Sequence, residues 1–372
     1  MISRTPPADR LIGIEGLRFL GAVAILVWHY QHFLFVKDLP VGYVPDQAPF
    51  YPALHPVYWY GYLGVALFWC VSGFIFMWKY GVAVSSGNIG FRHFLLLRFA
   101  RLYPLHIATF SVAGMLGYMY FNNHSFYYIY QFNNLKHAAL NILFAQWWWL
   151  QDGYSFNGPS WSISLEILLY FAFFMIARVV GAGILVNGVI AALGVGLTVF
   201  LDRSPLAQLN FLDAVTFFYL GAVVCHLVGM ARSTQVLRQR FLAGLALCAA
   251  ATACWLLHVG RLQPLWATMI LAPSLIVWFE LISYELPSLV GKWFVTLGNL
   301  TYASYMIHYP LQAATVLAFG ALAIRPHDYF YQGIFFLAYV IITFVLSYFV
   351  YHKFEKPTQV FIRHLAARRR TN

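Results

Sequence analysis

Charge is what this sequence has least of. Asp, Glu, Lys and Arg together make up 9% of its 372 residues, against about a quarter in an ordinary soluble domain. So few charges cannot coat a water-exposed surface, which excludes a soluble enzyme, a disordered chain and a conventional DNA-binding protein. Cysteine is sparse as well. Cys70, Cys225, Cys248 and Cys254 all fall inside apolar stretches, and none has metal-ligand spacing. They read as small buried hydrophobes, so neither a disulfide framework nor a metal site is expected. A cleavable leader is not expected either: the first apolar run is long, carries charges and lacks a small-residue cleavage site.

What the chain does have is apolar surface, 61% of residues with 19% aromatic, and a net charge of +11. A basic balance can signal nucleic acid. In a membrane chain, however, Lys and Arg concentrate in the loops kept on the cytoplasmic side, so the excess reads as topology and no nucleic-acid partner is expected.

Crossing the hydrocarbon takes about 20 residues of helix, and runs free of charge map the candidates: Phe19–Val36, Gln47–Trp78, Leu102–Leu135, Val179–Leu201, Ala214–Ala231, Phe241–Gly260, Leu262–Phe279, Trp293–Ile324 and Tyr329–His352. Two shorter pieces, His137–Gln151 and Ser160–Ala177, bring the total to eleven. Arg4 and Arg10 at the start, Lys79, Arg92, Arg98 and Arg101, then Arg232, Arg238 and Arg240, and the tail with Arg363, Arg368, Arg369 and Arg370 mark cytoplasmic segments. An inside start and an inside finish require an even number of crossings. His137–Gln151, short and followed by the polar stretch Asp152–Pro159, is the piece expected not to span. The expected fold is therefore all-α: a polytopic membrane helix bundle of about ten transmembrane helices plus one re-entrant or interfacial segment near 137–151. It forms a single domain over 1–372, with no linker long enough for a second, soluble one. Non-helical backbone at membrane depth is tolerated only inside protein or along a wet cavity, so that segment is expected to line a site.

Ionisable groups within a span cost roughly 2.5–3.5 kcal/mol each on insertion scales and are functional candidates by default. The first span carries Glu15, Arg18 and His29. At 100° per residue, the step from Arg18 to His29 returns to within about 20° of one face, and the two lie roughly 16 Å apart along the axis. That stripe carries a cation at one end and a titratable imidazole further in. A packed structural histidine is the competing reading of His29. Arg98 and Arg101 lie about 60° apart on a helix, close enough to grip one polyanion together; ordinary membrane anchoring explains them too. Glu166 sits inside an apolar helix behind Ser160, Ser162 and Ser164, where a hydroxyl cap with an acidic first turn is the simpler alternative. His308 precedes Pro310, which suggests a kink, and is a weaker candidate. Aromatic clusters at Tyr51, Tyr58–Tyr60, Tyr127–Tyr130 and Trp147–Trp149 suit sugar rings or an interfacial belt.

Taken together, these motifs resemble acyltransferase family 3, the integral-membrane O-acyltransferases. The resemblance rests on Ile14–Leu20 with Arg18, ten residues, then His29; on Phe68–Phe74; on Arg98–Arg101 with Tyr103-Pro104; on Pro159–Glu166; on Leu297–Pro310; and on Phe354-Glu355-Lys356-Pro357. The chain reads Arg18-Phe19 where a glycine often follows the arginine, and the extra soluble domain that some members carry is not expected. The resemblance implies acyl transfer, acetyl by default, from acetyl-CoA or another acyl-CoA to a hydroxyl of a surface or exported glycan. Arg98 and Arg101, with Arg18, would hold the phosphates of the thioester at the cytoplasmic mouth. His29 would be the general base and Glu166 its partner. It further implies a bacterial inner-membrane location with both termini cytoplasmic, and the lipid bilayer as the surrounding partner. A transporter or flippase of a glycan or acylated small molecule is the rival function, since polar stripes in a bundle also describe substrate paths.

Overall fold

The computed structural model describes residues 11–201, 211–325 and 327–368. Arg4, Arg10, Arg369 and Arg370, on which the expected orientation of the termini partly rests, lie outside the described residues. The described residues are 81% helical with almost no strand. In order the helices are α1 (Ile12–Tyr30), α2 (Tyr51–Tyr60), α3 (Gly64–Ser85), α4 (Phe91–His124), α5 (Leu135–Ile142), α6 (Trp161–Val179), α7 (Ile184–Phe200) and α8 (Phe211–Arg232). They continue as α9 (Val236–His258), α10 (Pro264–Ile282), α11 (Ser288–Asn299), α12 (Thr301–Ala321), α13 (His327–Phe330), α14 (Gly333–Val350) and α15 (Lys356–Arg368).

Among the described residues, seven helical stretches are long and apolar enough to cross a membrane: α1 with its 3-10 extension to Leu34, α2 joined to α3, α6, α8, α9, α10, and α14 continued toward Leu365. Their outward faces are apolar. Leu237 and Ile334 are 77% and 76% exposed, a state that is costly in water and ordinary against lipid. The chain is thus a multi-pass membrane protein.

Charge-free runs did not locate every helix end. The run Gln47–Trp78 is split by a 3-10 turn at Gly61–Leu63, where a Cβ on Gly61 would lie 2.5 Å from the Ala24 carbonyl oxygen and 2.7 Å from Cβ of Trp28. The run Trp293–Ile324 is divided between α11 and α12. His137–Gln151 forms no span: α5 has eight residues, and turns follow it with Phe144 and Trp149 at positive φ.

Contacts divide the chain into two compact units. One holds α1 up to Gly21, Leu63–Ile89 and Phe171–Asn299; the other holds Ala22–Tyr62, Gly90–Tyr170 and the chain from Leu300 onward. In the first, α3 packs on α8 through two glycines. A Cβ on Gly73 would meet the Phe218 carbonyl, and one on Gly221 the Cys70 carbonyl. Lipid is as apolar as leucine, so close backbone approach rather than hydrophobic exclusion holds such a pair together. The same unit caps α1 from a distance. Glu280 of α10, fully buried, accepts the Ile14 N–H at 2.7 Å and pairs with Arg232. It thereby satisfies one of the orphan donors of the first turn of α1.

In the second unit α12 packs against α4 and α14. Tyr30, Phe33, Phe330, Phe336 and Tyr339 make one aromatic core, and Tyr30 donates its hydroxyl to the Phe330 carbonyl at 2.7 Å. α12 runs through Pro310 without a break. A proline has no N–H to give the carbonyl four residues earlier, here that of Met306. Asn157 Nδ2 donates to it instead, at 2.9 Å. Beyond α1, Phe35–Val36 and Leu39–Pro40 pair as a hairpin, turned by Lys37 and Asp38 at φ 53° and 60°, the left-handed pair that a two-residue turn of the right twist requires.

Candidate active site

His29 lies in the last turn of α1, where the helix leaves its final carbonyls without partners. Two hydrogen bonds define its state. Its Nδ1 lies 2.9 Å from the Ile25 carbonyl oxygen, and because a carbonyl only accepts, Nδ1 carries the proton and Nε2 the lone pair. That is the tautomer a general base needs. Its own carbonyl accepts from Gln312 Nε2 at 2.7 Å.

Three further rings surround it. The His308 ring centroid is 4.6 Å away, that of His32 5.1 Å, and Trp28 stands edge-on at 4.6 Å. Gln312 and His308 are four residues apart on α12 and so share a face. His308 Nε2, His32 Nδ1 and Gln312 Oε1 are buried with no hydrogen-bond partner among the described residues. His308 Nε2, whose ring donates from its other nitrogen to backbone carbonyls, and Gln312 Oε1, whose amide nitrogen donates to His29, offer lone pairs, which complements a ligand that donates hydroxyl protons. No group of three His, Cys, Asp or Glu side chains among the described residues is placed to hold a metal ion.

Glu166 belongs to a second group in the same unit. Its carboxylate accepts from the hydroxyl of Tyr170, one turn on along α6, and the guanidinium of Arg98 sits 5.9 Å from the Tyr170 ring centroid. Arg98 is buried, while Arg101 is half-buried and within electrostatic range of Tyr170 and Tyr302. Tyr302 donates to the Leu102 carbonyl at 2.5 Å, joining α12 to α4 at this level. Tyr170 therefore lies beside both Glu166 and Arg98, while the rings and amide beside His29 include Trp28, His32, His308 and Gln312.

A tyrosine stands between the two groups. Tyr305, 5.8 Å from His308 by ring centroids, donates to the Pro159 carbonyl at 2.5 Å and shares a 2.7 Å hydrogen bond with Ser162. Ser160 and Ser164 are also engaged. Gln146 Nε2 donates to the carbonyl and hydroxyl of Ser160, the Ser164 hydroxyl accepts the Trp147 N–H, and the Ser164 carbonyl accepts from Trp148 Nε1. The serine cluster fastens the turns after α5 and the face of α12, which the spacing of serines alone did not disclose. His32, Gln312 and Tyr170 were also missed. Their sequence signal was a three- or four-residue offset from His29, His308 and Glu166.

Arg18 lies in the other unit, where its Nη1 donates to Glu15 Oε2 at 2.7 Å and Glu15 packs on Gly298. His137 of α5 is fully buried. It donates from Nδ1 to Asn134 Oδ1 at 2.9 Å and accepts the Asp152 N–H at Nε2, 3.1 Å away. Burial lowers its pKa from the ordinary 6.5, Asp152 opposes that, and Lys136 adds to it.

The sequence profile of a family described as "Acyltransferase domain" matches residues 11–352, nearly the whole chain. The chain belongs to that acyltransferase family. Curated relatives within reach of sequence comparison are "Acyltransferase MdmB" of Streptomyces mycarofaciens and "Protein 2 in picA locus" of Rhizobium radiobacter. The first is 28% identical over 181 residues, 45% of this chain and 39% of the relative. The second is 33% identical over 111 residues, 30% of this chain and 47% of the relative. The chain thus spans less than half the length of either. No solved structure matches it. The acyltransferase match contains His29, Arg98, Glu166 and His308 together, so all the groups described above lie within the family region.

Proposed function

We propose that the protein is a membrane O-acyltransferase. It moves an acyl group, acetyl by default, from cytoplasmic acyl-CoA to a hydroxyl of a surface or exported glycan, with His29 as general base. The observation that carries this reading is the tautomer of His29: Nδ1–H committed to Ile25, the lone pair on Nε2, and the ring buried beside His308 and Gln312, whose unpartnered Nε2 and Oε1 accept hydroxyl donors. The phosphates of the thioester bind Arg98 and Arg101, and the thin pantetheine arm runs inward. The acceptor hydroxyl gives its proton to His29 Nε2 as its oxygen attacks the thioester carbonyl. The carbon–sulfur bond then breaks, and the proton leaves on the coenzyme A thiol.

Glu166 acts at one remove. Its helix face also carries Ser162, which bonds Tyr305 beside His308, so its charge favours a positive imidazole without touching the His29 ring. In this reading the chain is one acyltransferase domain with ten crossings, the seven apolar stretches joined by α4, α7 and α12. α5 and its turns form a re-entrant or interfacial piece. The arginine end faces the cytoplasm of a bacterial inner membrane, as do both termini.

The test is binding and turnover in one preparation. Purified protein binds acetyl-CoA, and His29→Ala lowers acyl transfer by about 10²–10⁴, the range of a lost general base, while leaving thioester binding intact. Normal glycan acylation in cells carrying His29→Ala would sink the assignment. A transporter, by contrast, moves its glycan with no dependence on acyl-CoA.

A further inference from the structure

In the second unit, a pocket of about 590 Å³ opens at the ends of α4 and α12, within the range of small-molecule sites. Its walls are largely apolar, with Phe33, Tyr120, Tyr128 and Phe330 set among aliphatic side chains. At its rim stand Asn123 and His124, whose ring stacks on Tyr120 at 4.0 Å and donates from Nδ1 to the Tyr120 carbonyl at 3.0 Å. That leaves the Nε2 lone pair of His124 for a ligand.

The pocket lies far from the arginines. From Arg98 to Tyr120, the rise along α4 is roughly 33 Å, comparable to a hydrocarbon core. Yet it begins close to the candidate base. Phe33 directly follows His32, whose carbonyl accepts the Tyr128 hydroxyl and whose ring borders His29. The four residues from His29 to Phe33 rise about 6–8 Å, a separation comparable to the width of one hydroxylated ring. The polar groups beside His29, Gln312 Oε1 and His308 Nε2, accept hydroxyl protons, whereas the pocket lining is mostly apolar.

We propose that this pocket binds the apolar part of the acyl acceptor, so that the acceptor is an amphipathic glycoside whose aglycone fills the pocket while its sugar hydroxyls face His29. The inference rests on the acyl-transfer reading for the role of His29, but the pocket can be tested without turnover. Gly320 lines it, and a Cβ built there meets nothing within 4 Å, so a side chain added at Gly320 enters open space.

Equilibrium binding of radiolabelled hexyl β-glucoside and methyl β-glucoside is measured on the full chain in lipid nanodiscs, with empty nanodiscs subtracted. Wild-type protein prefers the hexyl glycoside by at least about tenfold, a fraction of what five buried methylenes can supply. Gly320→Trp loses that preference, Gly320→Ala keeps it, and both variants bind acetyl-CoA as wild type does, which reports an intact fold. Equal affinity for the two glycosides, or a preference that survives Gly320→Trp, overturns the proposal. A preference no greater than that of empty nanodiscs also overturns it and marks the pocket as lipid-filled. Absence of acetyl-CoA binding alongside a Gly320-dependent preference would instead sink the acyl-transfer reading and leave the pocket standing.

Discussion

The imidazole rings of His29 and His308, carried by α1 and α12, face each other with centroids 4.6 Å apart and planes 55° apart. His29 Nδ1 is held by Ile25, and His308 Nε2 is buried without a partner. In the proposed mechanism, a proton taken up by His29 is therefore met by a neighbouring ring with a spare lone pair.

From that pairing, His308→Phe, which keeps an aromatic ring and removes the lone pair, should lower kcat by about tenfold or more. The loss should be smaller than for His29 itself, whose role as base carries the 10²–10⁴ range. Affinity for acetyl-CoA stays unchanged, and His308→Asn, which retains a polar acceptor, recovers part of the rate. Steady-state kinetics check this, and wild-type kcat in His308→Phe would reduce the ring to packing.

Arg98→Ala should weaken acetyl-CoA binding by about 10–100-fold, the equivalent of one charge-assisted hydrogen bond at roughly 1.5–3 kcal/mol. Arg98→Lys keeps the charge but not the planar fork, and falls between. Calorimetric titration measures all three proteins. Unaltered affinity in Arg98→Ala would return this arginine to membrane anchoring.

The glycine contacts between α3 and α8 make a stability prediction. Gly221→Ala forces a methyl group against the Cys70 carbonyl, and such overpacking costs about 1–3 kcal/mol. Gly229→Ala, later on α8 with nothing within 4 Å of its Cβ, is the control. Thermal unfolding in detergent should drop for Gly221→Ala alone.

Acid should loosen the turns after α5. His137 has a native pKa below its unfolded value of 6.5, so between the two values the unfolded chain binds more protons. The contribution of His137 is complete above about pH 6.5 and declines as pH falls toward the native pKa. Protonated Nε2 can no longer accept the Asp152 N–H. Hydrogen exchange at the Asp152 amide, corrected for intrinsic rate, should speed up between about pH 8 and about pH 5. His137→Gln should remove that pH dependence.

Much of the architecture was legible without coordinates. Scarcity of charge identified a membrane protein because charged groups are expensive in hydrocarbon. The few that remain inside spans then pointed to His29, Arg98 and Glu166. The offset of Arg98 and Arg101 placed both near one face of α4, since helical periodicity is a local property. Helix ends were less legible. A break such as Gly61–Leu63 depends on what Gly61 presses against, not on a change of polarity.

The sequence by itself determined the class of protein, its helical content and which side chains were costly to bury, because each follows from composition and local spacing. Only the tertiary structure decided that His308 and Gln312 meet His29, that Tyr170 lies beside both Glu166 and Arg98, and that Glu280 caps α1. Each of these joins helices far apart in the chain. In lipid, an apolar helix face reads the same whether it touches bilayer or protein. The choice of neighbours was therefore made by features that patterning does not display, glycines allowing backbone contact and polar groups completing one another's hydrogen bonds.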